Sequence, residues 1–167
     1  QMAKSLSIVI PCYNESGCLI PLFERLEKLI SLDEDLEIII VDNGSTDDSS
    51  EIIKNHSLYK KNLINLVTVK KNIGYGHGIM SGVYKSSSKY ISWCHSDLEI
   101  EPKYNYEAFI KNIKNLENKN CIIKGWRKKR SILDIFFTTG MSLFTSLVFM
   151  KKLTDINAQP KNFPRHI

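Results

Sequence analysis

Short apolar runs alternate along the chain with longer segments in which apolar residues recur every three or four positions. The short runs are typical of buried strands and the periodic segments of amphipathic helices. The pattern predicts strands at residues 6–11, 36–42, 63–69, 90–94 and 121–125, separated by helices. Strands that alternate with helices indicate an α/β fold with three α/β/α layers, Rossmann-like, around a mostly parallel central sheet.

Proline, glycine and capping residues predict where the helices begin. Pro21 suits the first turn of the first helix, and an Asp or Ser in the turn 43–48 would cap the second. The third helix is expected after the glycine run 74–78 and the fourth after Pro102. A further apolar segment, residues 132–150, is short of a clean bilayer span and fits a core-packed helix or an interfacial one.

The composition is that of a globular domain with a core of ordinary size. The 167 residues are 43% hydrophobic and 25% charged, so we expect residues 2–167 to form a single domain. The four cysteines lack a paired spacing, and no secretory signal precedes the first strand. Reduced thiols in a cytoplasmic compartment are therefore expected.

The net charge of +5 conceals a gradient along the chain, because the acidic residues concentrate before the middle and residues 120–167 hold nine bases and two acids. A basic final third favours an anionic partner such as a diphosphate, a lipid phosphate or an acidic membrane face. We expect no nucleic-acid partner, since the bases are not interleaved with aromatic residues in a recognisable binding module.

The fourth predicted strand runs directly into acidic residues. His95, Asp97 and Glu99 stand at alternate positions, and alternation along an extended chain would put the three side chains on one side. In open α/β sheets the ligand crevice lies outside the carboxyl ends of the strands. The sequence therefore predicts a nucleotide site at this strand end.

Carboxylates that face a diphosphate imply a divalent cation between them, because they would otherwise repel it. Mg²⁺ and Mn²⁺ both fit, and His95 would favour Mn²⁺ if it is a ligand. The alternative is that His95 orients a carboxylate through a hydrogen bond. The glycines at 74–78 match neither G-x-G-x-x-G nor a P-loop, so a dinucleotide-binding Rossmann domain is not expected.

The segment Lys124–Arg130 holds five bases in seven residues. Because it follows a strand, Arg127 or Arg130 could bind a phosphate with two hydrogen bonds. The alternative is a solvated basic loop.

Taken together, these segments resemble the family-two glycosyltransferases with the GT-A fold. The motifs that carry the resemblance are Ile8–Glu15, Val41–Asp47, Asn72–Gly74 with Gly82, His95–Pro102 and Gly125–Arg127. Within that family the chain resembles the branch of dolichyl-phosphate mannose synthases and bacterial polyprenyl-phosphate glycosyltransferases.

The resemblance implies an inverting, metal-dependent transfer of a hexosyl group from a nucleoside diphosphate sugar, with UDP expected ahead of GDP, to a polyprenyl phosphate. The expected place is the cytoplasmic face of the cell membrane. Lipid-using relatives usually continue into membrane-anchoring segments, which we expect this domain to lack. The alternatives are transfer to a saccharide hydroxyl in cell-surface polysaccharide synthesis and a non-catalytic nucleotide-binding module.

The resemblance also implies site residues. Asp97 and Arg127 take the catalytic positions, and His95, Asp97 and Glu99 take those of the ligands of Mn²⁺ or Mg²⁺. The nucleotide-sugar positions are Pro11, Tyr13, Glu15, Asp42, Asn43, Gly74, Ser96 and Arg130.

Two positions depart from the family pattern: Asn43 replaces a second Asp, and His95 replaces the first Asp of Asp-x-Asp. No carboxylate after Glu101 stands out as a general base. A phosphate acceptor, which is already an anion, needs no such base.

Overall fold

The structure, a computed structural model, describes residues 5–98, 101–118, 121–125, 142, 146, 150 and 161–165. Its elements in chain order are β1 Leu6–Cys12, α1 Ser16–Ile30, β2 Leu36–Asp42, α2 Ser49–Asn55, α3 Ser57–Lys60, β3 Asn65–Thr68, α4 Tyr75–Lys85, β4 Tyr90–Trp93, α5 Pro102–Asn118, β5 Ile123–Lys124 and β6 Lys161–Pro164.

The six strands form one sheet in the order β3-β2-β1-β4-β6-β5. β3, β2, β1 and β4 are parallel, and β6 runs antiparallel to β4. The predicted α/β class with a mostly parallel sheet is confirmed. The antiparallel strand β6 was not predicted, because Lys161–Pro164 is too short and too polar to show a strand pattern.

Side chains on the two faces of the central strands belong to two separate cores. On one face Leu6, Ile8 and Ile10 pack with residues of α1 and α5, including Phe23 and Phe109. On the other face a smaller core joins Val9, Ile39, Val41 and Ile91, with Val83 of α4 packed against it. Successive strand residues point to opposite faces. Every residue of β1 and β2 is buried, and most are apolar, apart from Ser7, Glu37 and Asp42, as expected for central strands covered on both faces.

Helix α4 lies close to the sheet at Gly82. A Cβ atom there would stand 2.4 Å from a methyl group of Val9 and 2.8 Å from one of Val41. Glycine therefore sets how closely α4 approaches β1 and β2, and this fixes the depth at which the amino end of α4 reaches the carboxyl ends of the strands.

Two helices begin earlier than the sequence predicts. α1 begins at Ser16, so Pro21 lies inside the helix, and α4 begins at Tyr75, so the glycine run forms its first turn. For α1 the reason is a cap from a distant loop: the amides of Glu15 and Ser16 donate to side chains of residues 47–49. Local sequence does not reveal such a partner.

The chain divides into two compact units, Gln1–Ile123 with Pro160–Ile167, and Lys124–Gln159. In the second unit Ser142 and Ser146 are helical, and the Ser146 hydroxyl donates to the Ser142 carbonyl at 2.5 Å. The rest of the predicted apolar helix at 132–150, apart from the exposed Met150, lies outside the described residues. None of the helices in the described part of the chain has the length and hydropathy that a bilayer crossing requires.

Candidate active site

A cavity of about 250 Å³ opens where the sheet reverses its strand order. The chain passes from β1 to β2 and β3 on one side, whereas β4 lies on the other side of β1. The crevice lies at the carboxyl ends of these strands, between the loops after β1 and β4 and those after β2 and β3, the usual ligand position in such sheets. The cavity is lined by Pro11, Cys12, Tyr13, Glu15, Asn43, Asn72, Tyr75, His95, Ser96 and Asp97.

Most of the predicted site residues that the structure describes line this cavity, namely Pro11, Tyr13, Glu15, Asn43, His95, Ser96 and Asp97. Asp42 and Gly74 do not line it. Asp42 is 3% exposed, and one of its carboxylate oxygens accepts from the Ser45 amide at 2.9 Å. Glu99, Arg127 and Arg130 lie outside the described residues.

The loop that carries Tyr13 and Glu15 is fastened to the loop after β2. Asn14 has a left-handed backbone, with φ of 55°, which asparagine tolerates better than most residues. Its side-chain oxygen accepts a hydrogen bond from the Thr46 backbone amide at 2.8 Å, and its backbone N–H donates to the Ser45 hydroxyl at 3.2 Å. These bonds set the position of Tyr13 and Glu15 at one wall of the cavity.

Asp47 connects the starts of two helices. One carboxylate oxygen accepts from the Ser49 amide at 3.0 Å and the other from the Ser16 amide at 3.1 Å. Hydrogen bonds from Ser49 and then Ser16 lower the pKa of Asp47 to about 2. Asp48 occupies the N-cap position of α2 but makes no side-chain cap, so it is Asp47 that satisfies the amides of both α1 and α2.

Asn43 occupies the floor between β2 and α4. Its amide nitrogen donates to the Gly74 carbonyl at 3.2 Å and to the Asn72 side chain at 3.4 Å. Within the described part of the chain, its buried side-chain oxygen accepts no hydrogen bond. Buried acceptors are nearly always satisfied, so this oxygen is an exception among the polar atoms of the cavity floor.

The approach of the β2 loop to the β3–α4 loop depends on Gly44. Its φ is +78°, and a Cβ atom would stand 2.6 Å from the backbone nitrogen of Asn72. Both the conformation and the space require glycine. Gly44 thus holds Asn43 and Asn72 side by side in the cavity floor.

His95 and Asp97 reach the cavity from a loop, not from a strand. β4 ends at Trp93, and Leu98 has a positive φ of 65°, so the chain does not continue as an extended strand. His95 and Asp97 nevertheless face the same cavity, whereas Glu99 lies outside the described residues. The loop instead bends back on the sheet: the buried Ser96 hydroxyl donates to the Pro11 carbonyl at 3.1 Å. This bond holds the β4 loop against the end of β1.

Arg25 of α1 holds the far end of the same loop. Its guanidinium donates to the Leu98 carbonyl at 3.2 Å and lies 3.9 Å from the Glu101 carboxylate. The turn that presents Asp97 is therefore tied at one end to β1 and at the other to α1.

Tyr75, His95 and Asp97 form a row along the cavity wall. The Tyr75 and His95 rings stack with centroids 4.8 Å apart and planes 4° apart, and the Tyr75 Oη atom lies 3.0 Å from His95 Nε2, within hydrogen-bond distance. On the other side of the imidazole, Nδ1 lies 4.0 Å from Oδ2 of Asp97. Burial raises the pKa of the Tyr75 hydroxyl, with smaller contributions from Cys94 and Asp97, so it remains protonated at neutral pH.

Two buried thiols near the cavity, those of Cys12 and Cys94, are unsuited to nucleophilic chemistry. Burial raises the pKa of Cys12 to about 11 and that of Cys94 to about 12. A thiol reacts as its thiolate, and at neutral pH these remain thiols. Covalent catalysis by either cysteine is not supported.

The side chains at the cavity suit a hard or borderline divalent cation that is also bound by the phosphate groups of a substrate. Among residues 5–98, 101–118 and the shorter described stretches, no group of three or more His, Cys, Asp or Glu side chains converges. His95 and Asp97 do converge, and both are partly exposed to the cavity. Two protein ligands are sufficient where phosphate oxygens and water complete the coordination, as is usual for Mg²⁺.

Three lining residues, Cys12, Asn72 and Tyr75, were not predicted as site residues. Asn72 appeared only as part of a family motif, and the glycine run around Tyr75 looked weak because it matched no known phosphate-binding pattern. The position of the glycine run in the chain could have identified Tyr75. The run follows a strand, and a helix that starts at the carboxyl edge of a sheet brings its first residue into the crevice.

The chain is similar in sequence to known glycosyltransferases. The family model described as "Glycosyl transferase family 2" matches residues 7–163. An undecaprenyl-phosphate 4-deoxy-4-formamido-L-arabinose transferase of Photorhabdus laumondii is 27% identical over 100% of this chain and 51% of its own length. A dolichyl-phosphate beta-glucosyltransferase of Trichomonas vaginalis is 27% identical over 95% of this chain and 51% of its own.

A solved structure shares the fold. Glucosyl-3-phosphoglycerate synthase from Mycobacterium tuberculosis, in complex with Mn²⁺, UDP and glucosyl-3-phosphoglycerate, superposes with a TM-score of 0.68 at 18% identity, covering 98% of this chain and 57% of that one. The similarity confirms the predicted GT-A fold. The chain spans about half the length of the curated relatives it matches.

Proposed function

Because this chain belongs to glycosyl transferase family 2, we propose that it transfers a hexosyl group from a nucleoside diphosphate sugar to a polyprenyl phosphate. The observation that carries the proposal is the single cavity that joins Tyr13 and Glu15, after β1, to His95 and Asp97, after β4. One wall is suited to the nucleoside and the other to a cation and the diphosphate.

The nucleoside half is assigned to the β1 and β2 loops. Tyr13 offers a partly exposed ring on which a base can stack, and Glu15 can accept from ribose hydroxyls. Asn43, which also lines the cavity, is proposed to contact the nucleotide. We propose UDP ahead of GDP as the nucleotide of the donor.

The diphosphate half is assigned to the β4 loop. Asp97 and His95 would hold Mn²⁺ or Mg²⁺ together with phosphate oxygens, and Glu99 is a third candidate. When bound, the cation neutralises the charge that develops on the departing nucleoside diphosphate. Arg127 and Arg130 are proposed to contact phosphate, since a guanidinium can bind phosphate oxygens with two parallel hydrogen bonds.

The acceptor chemistry favours a lipid phosphate. A phosphate monoester is already an anion at neutral pH, so its oxygen can attack the sugar without a general base. We propose that it attacks from the side opposite the diphosphate, which inverts the configuration at the anomeric carbon. The names of the Photorhabdus and Trichomonas relatives, which specify undecaprenyl and dolichyl phosphates, support this acceptor.

The place of action follows from the acceptor. A polyprenyl chain resides in a bilayer, so the enzyme would work at the membrane, and we propose the cytoplasmic face, where nucleotide sugars are found. The nine bases of residues 120–167 support contact with an anionic membrane surface.

A thermal-shift experiment tests the donor half of the proposal. UDP-hexose with Mn²⁺ is expected to raise the melting temperature, because a ligand that binds only the folded chain stabilises it. Asp97→Asn should abolish the rise, whereas Asp48→Asn should keep it, since the exposed Asp48 makes no side-chain cap. An equal rise in the Asp97→Asn variant would refute the assignment of the cation site.

A transfer assay tests the acceptor half. With UDP-hexose and Mn²⁺, a short polyprenyl phosphate should be glycosylated and release UDP. Transfer only to free saccharides would replace the lipid phosphate with a hydroxyl acceptor, and binding of UDP-hexose without any release of UDP would indicate a non-catalytic module.

A further inference from the structure

Tyr75 contacts the proposed cation site through His95. Its hydroxyl lies 3.0 Å from Nε2 of the imidazole, and the two rings are stacked and almost parallel. The stack fixes the plane of the imidazole, and the contact at Nε2 leaves the second ring nitrogen, Nδ1, on the side of Asp97.

The distance between His95 Nδ1 and Asp97 Oδ2 leaves room for a cation. At 4.0 Å the atoms are too far apart for a hydrogen bond. Two ligands on opposite sides of one cation, with bonds of about 2.1 Å, lie about 4.2 Å apart. The separation is therefore compatible with a cation held between the two side chains.

We infer, on the basis of the proposed function, that Tyr75 is a positioning residue that makes His95 a cation ligand through Nδ1. A histidine that ligates a metal usually donates its other ring N–H to an acceptor, and this donor bond fixes the tautomer. In the inferred arrangement His95 Nε2–H donates to the Tyr75 Oη atom, and the lone pair of Nδ1 faces the cation. In this arrangement Tyr75 acts on the cation through His95.

The opposite tautomer gives His95 a different role. If the Tyr75 hydroxyl donated to Nε2, Nδ1 would carry the proton and point it at the Asp97 carboxylate. His95 would then orient Asp97 and could not bind a cation at Nδ1. The 4.0 Å separation argues against that hydrogen bond, and the tautomer can be measured directly.

Tyr75→Phe is the matched test, because phenylalanine keeps the ring that stacks on His95 and removes only the hydroxyl. The affinity for Mn²⁺ in the presence of UDP, measured by electron paramagnetic resonance of free Mn²⁺, should fall by about 10-fold to 100-fold, as expected for loss of a partner behind a metal ligand. Tyr84→Phe on the same helix is the control, since Tyr84 is 76% exposed and lies outside the cavity; its Mn²⁺ affinity should not change.

A second measurement needs no variant. The ¹⁵N chemical shifts of the His95 ring in the unmodified protein should show a protonated Nε2 and an unprotonated Nδ1. A protonated Nδ1, or an unchanged Mn²⁺ affinity in Tyr75→Phe when the unmodified protein binds Mn²⁺ with UDP, overturns the inference and leaves the proposed function standing. Failure of the unmodified protein to bind Mn²⁺ with UDP would overturn both.

Discussion

His95 is the residue that most changes the chemistry expected of this site, because it stands where the resembled family has the first Asp of Asp-x-Asp. An imidazole binds transition metals better than it binds Mg²⁺, which prefers oxygen ligands. The proposed cation site therefore combines one nitrogen donor, from His95, with one carboxylate, from Asp97.

Metal preference follows from this ligand pair. We expect His95→Asp to lower the ratio of Mn²⁺ to Mg²⁺ affinity by about tenfold, equivalent to about 1.4 kcal/mol, because the new carboxylate suits Mg²⁺. The measurement is titration of each metal in the presence of UDP. An unchanged ratio would show that His95 does not ligate the cation.

Asp47 should make the free energy of unfolding depend on pH. Its pKa is about 2 in the folded chain against an ordinary value of 3.8, so its contribution is complete above about pH 4 and is lost as the pH falls towards 2. Asp47→Asn, which keeps only one of the two acceptor oxygens, should cost about 1 kcal/mol at pH 7.

Urea unfolding at pH 7, 4 and 3 checks this expectation. The difference in the free energy of unfolding between the unmodified protein and Asp47→Asn should shrink towards pH 3. The neighbouring Asp48→Asn should show no such trend, because Asp48 makes no side-chain cap. A difference of equal size at pH 7 and pH 3 would contradict the assigned role of Asp47.

At the residue scale, the sequence could predict side chains that lie directly after a strand, such as Tyr13, Glu15 and Asp97, because their place in the chain determines their place in the fold. It could not predict the partners that come from elsewhere. The Tyr75–His95 contact joins residues twenty positions apart, and the Asp47 caps of α1 depend on a loop some thirty residues away.

At the element scale, helix α4 determines how the cavity floor is built. Its first residue, Tyr75, lines the site. Gly82, seven residues later, contacts the sheet. A shift of this helix away from β1 and β2 would move the Tyr75 hydroxyl away from His95.

Two glycine substitutions on α4 separate packing from helix propensity. Gly82→Ala should destabilise the fold by about 1–3 kcal/mol, because the new methyl group would overlap Val9 and Val41 in a tightly packed core. Gly76→Ala should stabilise it by up to about 1 kcal/mol, because nothing lies within 4 Å of the added atom and alanine favours a helix.

Chemical denaturation of the two variants gives the comparison. Equal effects of the two substitutions would mean that α4 does not pack on the sheet as described. If the packing is correct, the Gly82 variant should also bind Mn²⁺ with UDP more weakly, since displacement of α4 carries Tyr75 with it.

The end of β4 shows why the hydrophobic pattern of a sequence alone misplaces the boundaries of strands. The strand pattern of residues 90–94 suggested that the extended chain would continue through Asp97, but β4 ends at Trp93. Bonds from Ser96 to Pro11 and from Arg25 to Leu98 turn the chain instead. His95 and Asp97 still meet, although the loop, and not strand alternation, brings them together.

At the scale of the whole molecule, the order of strands explains the position of the site. Alternating strands and helices predict a parallel sheet, and the carboxyl edge of such a sheet predicts a ligand crevice. The sequence does not state which two strands flank that crevice. The structure places β4 beside β1, and this pairing brings residues 11–15 and 95–97 together from opposite halves of the chain.

Asp97 and His95 are proposed to hold a divalent cation that binds the diphosphate of a nucleotide sugar. A crystal of the protein grown with UDP and Mn²⁺, with diffraction recorded at the manganese absorption edge, would show the cation itself. We expect one anomalous peak between Asp97 and Nδ1 of His95, in contact with the diphosphate, and the base of UDP against Tyr13. UDP bound in this cavity with no manganese peak near Asp97, or bound elsewhere on the chain, would contradict the proposal.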